Sequence, residues 1–406
     1  MSRTIASAGR LTSATIFLLT ASASAIAQPE RVIRLDDDAA AARLSDMRAS
    51  WSTRDEWLER AASVRRHVMR TLDIPAFDVE RATLTPDSAR GPLHSQVGEA
   101  RGHDGYVVEN VSFESFPGTR VSGNLYRPAD ATGRHPAILC PHGHFRATDD
   151  DPEGRFRRDM QIRCATLARM GAVVFAYDMV GWGESDISDH DVSPALPLQT
   201  YNSIRVVDYL VSRDDVDETR LGITGASGGG SQTFLLTALD DRIDASVPVV
   251  MVSSHFFGGC NCETGLPIHT GEDFVTNNVE IAALAAPRPQ LVISCGEDWT
   301  SHTPEIEFPA IAEVYATLGA PDAINNAHFA DEGHDYGASK RVPMYEFFAA
   351  CFGLDISSVR TPEGDIDESP VTIEPRDDLL CCAPEASPPK RTAAEAIKDL
   401  RSAPSP

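Results

Sequence analysis

Short apolar segments alternate with helical patterns between residues 137 and 352 of this 406-residue chain. Each apolar segment spans only a few residues and is hydrophobic throughout, which indicates a strand buried on both faces. The segments cover residues 137–140, 172–177, 220–224, 245–252, 290–295 and 323–329. Buried strands connected through helices form a parallel sheet with helices packed on both sides.

Two further runs, at residues 107–111 and 120–126, precede this region and flank the turn signal Pro117-Gly118. They predict two antiparallel strands at one edge of the sheet. The predicted fold class is therefore α/β, with a mostly parallel sheet of eight strands covered by helices on both faces.

The segments on either side differ from this central region. Residues 28–105 carry two helical patterns and predict an N-terminal helical extension. Residues 355–406 are rich in Pro, Glu and Asp and poor in aromatic residues, so they predict an extended acidic tail with a short helix at residues 393–400. We expect residues 106–354 to form a single domain between them.

The motif Gly225-Ala-Ser-Gly-Gly229 lies between a predicted strand and a predicted helix. Strand, sharp turn and helix are the surroundings in which a Gly-x-Ser-x-Gly motif forms a nucleophile elbow. Small residues allow the tight turn, which would raise the Ser227 hydroxyl above the sheet at a helix N-terminus. The alternatives are a structural glycine-rich turn and a phosphate-binding loop.

A serine nucleophile needs a base within hydrogen-bond reach, and the base needs an orienting acid. Both should follow later strands, in the order serine, acid, histidine. Asp298 follows the strand at 290–295 and is the predicted acid, with Glu297 as its rival. His334 follows the last strand and is the predicted base.

Negative charge on the reacting oxygen needs backbone N–H donors. The N–H of Gly228 is one candidate, and the N–H of His144 in the loop after the strand at 137–140 is the other. His142 and His144 would alternatively be metal ligands, but no nearby carboxylate or cysteine completes a ligand set at a suitable spacing.

These residues together resemble the α/β-hydrolase superfamily. The resemblance rests on Ser227, Asp298 and His334 in their strand contexts, on His142-Gly-His144, and on Tyr177-Asp-Met-Val-Gly-Trp-Gly-Glu-Ser185. Within the superfamily the chain is similar to bacterial secreted hydrolases of the acetyl xylan esterase, dienelactone hydrolase and prolyl oligopeptidase-like group.

The resemblance covers about residues 106–354. It implies the α/β-hydrolase fold and hydrolysis of carboxylic esters without a cofactor. Dienelactone hydrolases use a cysteine nucleophile, and Ser227 in this chain argues against that activity. Acetylated polysaccharide is the substrate class that the resemblance favours.

Residues 254–289 form a long connection and predict a cap over the carboxyl edge of the sheet. Cys260, Cys262, His255 and His269 in this region could bind a metal, but their spacing fits no common zinc pattern. We therefore predict no metal here and interpret the segment as a substrate-side loop whose cysteines are reduced or disulfide-linked. Pairing with Cys381-Cys382 is a further alternative.

Trp182, Trp299 and Phe256 are expected near the carboxyl edge of the sheet. Each could stack on a sugar ring, although aromatic side chains more often pack in the interior. Trp182 and Trp299 are the predicted substrate-binding residues.

The N-terminus predicts export. Arg3 and Arg10 precede an apolar run at residues 11–26, and Ala25-Ile-Ala27 is a cleavage site for a signal peptide at residues 1–27. No later segment predicts a membrane span. The net charge of −24 excludes nucleic acid as a favoured partner.

The sequence thus predicts an exported, periplasmic or extracellular serine esterase acting on a small-molecule or polysaccharide ester. The alternatives are a serine peptidase of the prolyl oligopeptidase type, which here would lack the preceding β-propeller, and a non-catalytic binding protein on a hydrolase scaffold.

Overall fold

The computed structural model describes residues 33–130, 132–149, 151–271, 274–381 and 389–402. The strands are β1 Phe77–Asp78, β2 Thr83–Leu84, β3 Gln96–Val97, β4 Arg101–Gly102, β5 Tyr106–Phe116, β6 Thr119–Pro128, β7 His135–Pro141, β8 Val173–Tyr177, β9 Val216–Ala226, β10 Ala245–Val249, β11 Thr270–Gly271, β12 Phe274–Val275, β13 Gln290–Cys295 and β14 Ile324–Phe329. The helices are α1 Asp37–Ala49, α2 Arg54–Leu72, α3 Arg158–Arg169, α4 Ala195–Val211, α5 Gly228–Leu239, α6 Asn261–Thr264, α7 Asn278–Ala283, α8 Phe308–Thr317, α9 Ala338–Phe352 and α10 Ala393–Ser402.

The central sheet has the order β14-β13-β10-β9-β7-β8-β6-β5-β3, with β4 also paired to β5. Strands β7 to β10, β13 and β14 are parallel, while β3 to β6 form an antiparallel edge. The predicted fold class is confirmed, but the sheet has ten strands rather than eight. The two additional strands, β3 and β4, are only two residues long, too short to show an apolar alternation.

Two hydrophobic cores lie on opposite faces of this sheet. Along β8, Val173, Phe175 and Tyr177 point into one core, and Val174 and Ala176 point into the other, as the two-residue period of a strand requires. The first core is covered by α1, α2, α4, α5, α7, α8 and α10, and the second by α3, α9 and part of the tail. Helices on both faces explain why the parallel strands are hydrophobic throughout.

The N-terminal extension packs on the first core and supports the cap. A capping box between Thr53 and Glu56 begins α2, and buried residues recur along its inner face. Arg60 of α2 bonds Glu280 of α7 at 2.7 Å, and that carboxylate is fully buried. The backbone of residues 33–35 also bonds that of residues 255–257.

The C-terminal segment is extended and lies against the domain. Leu379 is fully buried in the second core, and its carbonyl accepts a hydrogen bond from the buried Arg155. Helix α10 inserts Ala393, Ala396 and Leu400 into the first core.

None of the helices in the described residues is long and apolar enough to cross a membrane. The predicted signal peptide, residues 1–27, lies outside the described residues.

Candidate active site

Ser227 occupies the turn between β9 and α5, with φ at 57° and ψ at −124°. Non-glycine residues rarely adopt positive φ, so the surrounding structure must hold it. Close packing of the neighbouring glycines provides that constraint. A Cβ on Gly225 or Gly229 would lie 2.5 or 2.4 Å from the carbonyl oxygen of Pro141, so only glycine fits at either position. The Ser227 side chain makes no capping hydrogen bond to α5, so its hydroxyl is not occupied by the helix N-terminus.

Asp298 and His334 lie side by side in the loops after β13 and β14. Nδ1 of His334 donates to Oδ2 of Asp298 at 2.7 Å. The other carboxylate oxygen accepts from the backbone N–H and the hydroxyl of Thr300, both at 2.6 Å. The Asp298 side chain is 2% exposed. Burial would raise its pKa, but the hydrogen bonds from His334 and Thr300 outweigh this effect and lower the pKa below its usual value.

Glu297, the rival acid, is exposed and makes no hydrogen bond to His334 among the described contacts. The geometry therefore brings Asp298, and not Glu297, to the histidine.

The loop after β7 lies directly beside the elbow. A Cβ on Gly143 would lie 3.0 Å from Cβ of Ser227, and one on Gly228 would lie 2.5 Å from the His144 ring. Gly228 is the first residue of α5, so its N–H has no acceptor within that helix. His142 has a structural contact: its Nε2 accepts from the N–H of Met179 at 3.1 Å, and burial lowers its pKa to about 3.

A cavity of about 410 Å³ opens over Ser227. Both predicted substrate-binding residues line it. The Trp182 ring contacts those of His144 and His190, while the Trp299 ring lies 4.3 Å from that of His334 and 4.2 Å from that of Phe256. Trp299 also lines a second opening of about 460 Å³ that contains Asp298 and His334. Trp299 thus borders both the cavity over Ser227 and the opening that contains Asp298 and His334.

A cluster of nitrogen and sulfur side chains forms another wall of the cavity. It consists of His144, His190, Cys260 and Cys262. The hydrogen bond from Cys262 lowers the pKa of the Cys260 thiol, and the bonds to His144 and His190 act in the same direction. Sequence reasoning missed His190, because it lies 70 residues before Cys260 and no spacing rule connects them.

The two other histidines considered as partners of these cysteines lie elsewhere. Nε2 of the buried His269 contacts Oδ1 of Asn278 at 2.8 Å, and Nδ1 of His255 contacts Oγ of Ser253 at 3.2 Å. The structure therefore separates the four-residue set considered from the sequence and joins its cysteines to a different pair of histidines.

The seven described cysteines are all free. Cys140, Cys164 and Cys295 are buried, as their predicted positions in strands and a helix suggested. Cys381 lies against β5 and β6, where it contacts the carbonyl of Val111 at 3.2 Å, so a bridge from it to the cap is not formed. Cys382 lies outside the described residues.

Comparison with known proteins is consistent with this geometry. The family model described as acetyl xylan esterase matches residues 199–261, which include the elbow and Cys260 of the cap. The solved structure of Methylesterase BT1017 is 38% identical, with 92% of this chain and 82% of that chain covered and a TM-score of 0.79. This identity over most of both chains decides the family. The chain belongs to the esterases of the α/β-hydrolase superfamily.

Two further proteins are similar to this α/β-hydrolase at lower identity, and the one with a solved structure shares the fold. A putative hydrolase, YtaP, of Bacillus subtilis is 26% identical over 237 residues, which are 53% of this chain and 79% of the relative. A putative acetyl xylan esterase from Bacteroides fragilis is 18% identical, covers 70% of this chain and 78% of its own, and has a TM-score of 0.52.

Proposed function

We propose that this α/β-hydrolase is an exported serine esterase that cleaves carbohydrate esters through an acyl-enzyme. Ser227 is the nucleophile, His334 the general base and acid, and Asp298 the residue that orients His334. The N–H groups of Gly228 and His144 form the oxyanion hole.

In the first step the Ser227 hydroxyl oxygen attacks the ester carbonyl while Nε2 of His334 takes the hydroxyl proton. The oxyanion of the tetrahedral intermediate accepts hydrogen bonds from the two N–H groups. The intermediate then collapses, and His334 returns the proton to the departing alcohol. In the second step His334 takes a proton from a water molecule, whose oxygen attacks the acyl-enzyme carbonyl. The bond to the Ser227 oxygen then breaks, His334 returns the proton to that oxygen, and the acid is released.

The observation that carries this proposal is the positive φ of Ser227 at the base of an aromatic cavity whose wall, Trp299, contacts the paired His334. Strained backbone persists where surrounding structure over-determines it, and such positions cluster at active sites. The hydrogen bonds of Asp298 support the role of His334. A carboxylate held in place keeps the imidazole in one tautomer, with Nε2 available as the base.

Two kinds of carbohydrate ester are candidate substrates. In one the sugar provides the alcohol of the ester, and in the other it provides the acid. In an acetylated polysaccharide the sugar is the alcohol, and this is the substrate favoured by the family model over residues 199–261. In a methyl-esterified polysaccharide the sugar carries the acid, and this is favoured by the relative called a methylesterase, which matches 92% of the chain. We rank the methyl ester first because that likeness covers far more of the chain.

The cavity has features suited to a sugar acid. Trp182, Trp299 and Phe256 offer apolar faces, and the exposed Arg146 lies on the same lining. A guanidinium there can pair with the carboxylate of a neighbouring unesterified sugar.

Release of methanol and acetate from matched polymers tests the ranking. The enzyme should release methanol from methyl-esterified polygalacturonate faster than acetate from acetylated xylan, and Arg146→Gln should raise KM on the partly de-esterified polymer alone. A preference for acetylated xylan would instead assign the acetyl ester. Failure to hydrolyse either polymer and p-nitrophenyl acetate would contradict the esterase proposal.

Export is tested separately. Cleavage after Ala27 predicts a mature protein that begins at Gln28. Exported protein that still begins at Met1 by N-terminal sequencing would contradict it.

A further inference from the structure

Four potential metal ligands converge at one point of the cavity wall, from three separate parts of the chain. His144 follows β7, His190 lies in the loop between β8 and α4, and Cys260 and Cys262 lie at the start of α6 in the cap. One ligand atom from each lies within 4.8 Å of the other three. The Cys262 side chain is fully buried, and the other three residues are partly buried.

Hydrogen bonds alone do not satisfy all the ring nitrogen and sulfur atoms of this four-residue cluster. Nδ1 of His190 donates to the carbonyl of Val180 at 2.6 Å, so Nε2 of the neutral ring carries a lone pair. That nitrogen lies 2.7 Å from Nε2 of His144, which also lies 3.1 Å from the Cys262 sulfur. A single N–H on His144 can point along only one of these two directions, so one contact remains unsatisfied.

We propose that His144, His190, Cys260 and Cys262 bind a structural zinc ion. Two thiolates and two imidazoles are a ligand set that favours Zn²⁺ in tetrahedral geometry. Bonds of about 2.0–2.3 Å place tetrahedral ligands roughly 3.3–3.8 Å apart. To bind the ion, separations of up to 4.8 Å in the cluster would shorten by roughly 1.0–1.5 Å, and the 2.7 Å contact between the two Nε2 atoms would lengthen by about 0.6 Å. All four ligands come from the protein, which is typical of structural rather than catalytic zinc.

The surroundings orient these ligands. The Val180 carbonyl selects the tautomer of His190 whose Nε2 faces the cluster, which is the usual outer contact of a zinc-bound histidine. The carboxylate of Glu263 accepts from the N–H groups of Gly259 and Cys260, at 3.1 and 3.3 Å. Asp191 accepts from the N–H of Asn261 at 2.7 Å. These bonds hold the turn that carries both cysteines.

The ion would connect the cap to the loop that carries a proposed oxyanion donor. The His144 ring lies against Gly228. An ion that fixes this ring would therefore also fix the backbone N–H of His144 beside the elbow. The zinc thus acts on catalysis by position, without contacting the reacting ester.

Metal analysis of the full chain tests this proposal. The protein is purified through a tag without histidine, and zinc is measured by mass spectrometry after gel filtration in metal-free buffer. We expect about one zinc per chain in the wild type and in Ser227→Ala, because four protein ligands give a closed site that does not depend on the nucleophile. Cys262→Ser and His190→Ala should lose the zinc, while the matched controls Cys351→Ser and His255→Ala should keep it.

Cobalt substitution gives a readout that does not depend on the folding of a variant. Wild-type protein loaded with Co²⁺ should show tetrahedral d–d bands and thiolate-to-cobalt charge transfer. A wild type that takes up no zinc on reconstitution and shows no thiolate band would overturn the proposal. So would a Cys260–Cys262 disulfide in the exported protein, or zinc retained by Cys262→Ser. Because Ser227→Ala should bind zinc normally, a failure here is distinguishable from a failure of the esterase proposal.

Discussion

At the scale of residues, Asp298 and Glu297 are neighbours with opposite environments. Asp298 is buried and bonds His334 and Thr300, whereas Glu297 is exposed. The hydrogen bonds lower the Asp298 pKa, so this carboxylate stays ionised under conditions in which the proposed mechanism requires His334 to act as a base.

Replacing each carboxylate by its amide separates the two roles. Asp298→Asn should lower turnover of p-nitrophenyl acetate by roughly 10³-fold or more, because the imidazole loses the acceptor that fixes its tautomer. Glu297→Gln, the matched control, should change turnover less than about 3-fold, since its side chain makes no bond to His334. Equal losses in two folded variants, measured at saturating substrate, would contradict the assignment.

The residues of the site differ in how far the sequence could predict them. Ser227, Asp298 and His334 could be proposed because each follows a strand, and parallel strands bring their carboxyl ends to one edge. His190 could not, because it lies in a long loop whose path depends on tertiary packing. The same limit explains why the cap cysteines were considered with His255 and His269, which are nearer in sequence.

At the scale of elements, one buried carboxylate connects the N-terminal extension to the helices that cover the first core. Asp208 of α4 accepts hydrogen bonds from Arg90, Arg205 and Arg242 at 2.7–2.8 Å. Burial would raise the pKa of Asp208, but the hydrogen bonds and positive charges of Arg90 and Arg242 outweigh this effect and lower the pKa. Asp208 thus stabilises the junction of residues 28–105 with the sheet domain.

Asp208→Asn should reduce the free energy of unfolding by about 3–5 kcal/mol at pH 7, because it leaves buried arginines without their charged partner. The exposed Asp214→Asn is the control and should have an effect within about 0.5 kcal/mol. Urea titration followed by circular dichroism measures both.

The pH dependence of the Asp208 contribution to stability follows from the direction in which its pKa is shifted. A lowered folded-state pKa gives stability that is present above the unfolded value of about 3.9 and is lost as the pH falls through the folded value. The difference between wild type and Asp208→Asn should therefore shrink as the pH falls below about 4. A difference that grows in acid would contradict the role of Asp208.

Most helices and strands could be predicted from the periodicity of apolar residues, although several begin or end at residues other than those predicted. The strand expected at 220–224 extends as β9 over Val216–Ala226, because Val216 pairs with His135 of β7. The polar residues 217–220 between Val216 and Leu221 interrupt the apolar pattern, so the sequence contains no signal for this extension. The helix expected at 393–400 is α10, whose apolar face covers α4. Packing, rather than local propensity, determined these limits.

At the scale of the whole molecule, both flanking segments wrap the sheet domain. Residues near Leu379 cover the second core, and the extension supports the cap through Arg60 and Glu280. Composition predicted an extended tail, but it could not show that a few apolar residues within acidic sequence would be buried.

Leu379→Ala should lower the free energy of unfolding by about 2–5 kcal/mol, because it opens a cavity beside Arg155. Leu58→Ala is the matched control, since Leu58 is 46% exposed on α2, and its effect should stay within about 0.5 kcal/mol. Equal stability of the two variants in denaturant titrations would mean that the tail does not pack on the domain in solution.

The central claim is that Ser227 is a nucleophile activated by His334, and covalent labelling tests it most directly. A fluorophosphonate probe should add one phosphonyl group to the wild type, and peptide mapping should locate it on Ser227. Ser227→Ala should not be labelled, and His334→Ala should react more slowly by roughly 10³-fold, because the base that removes the hydroxyl proton is absent. Labelling of folded Ser227→Ala, or of His334→Ala at the wild-type rate, would contradict the account.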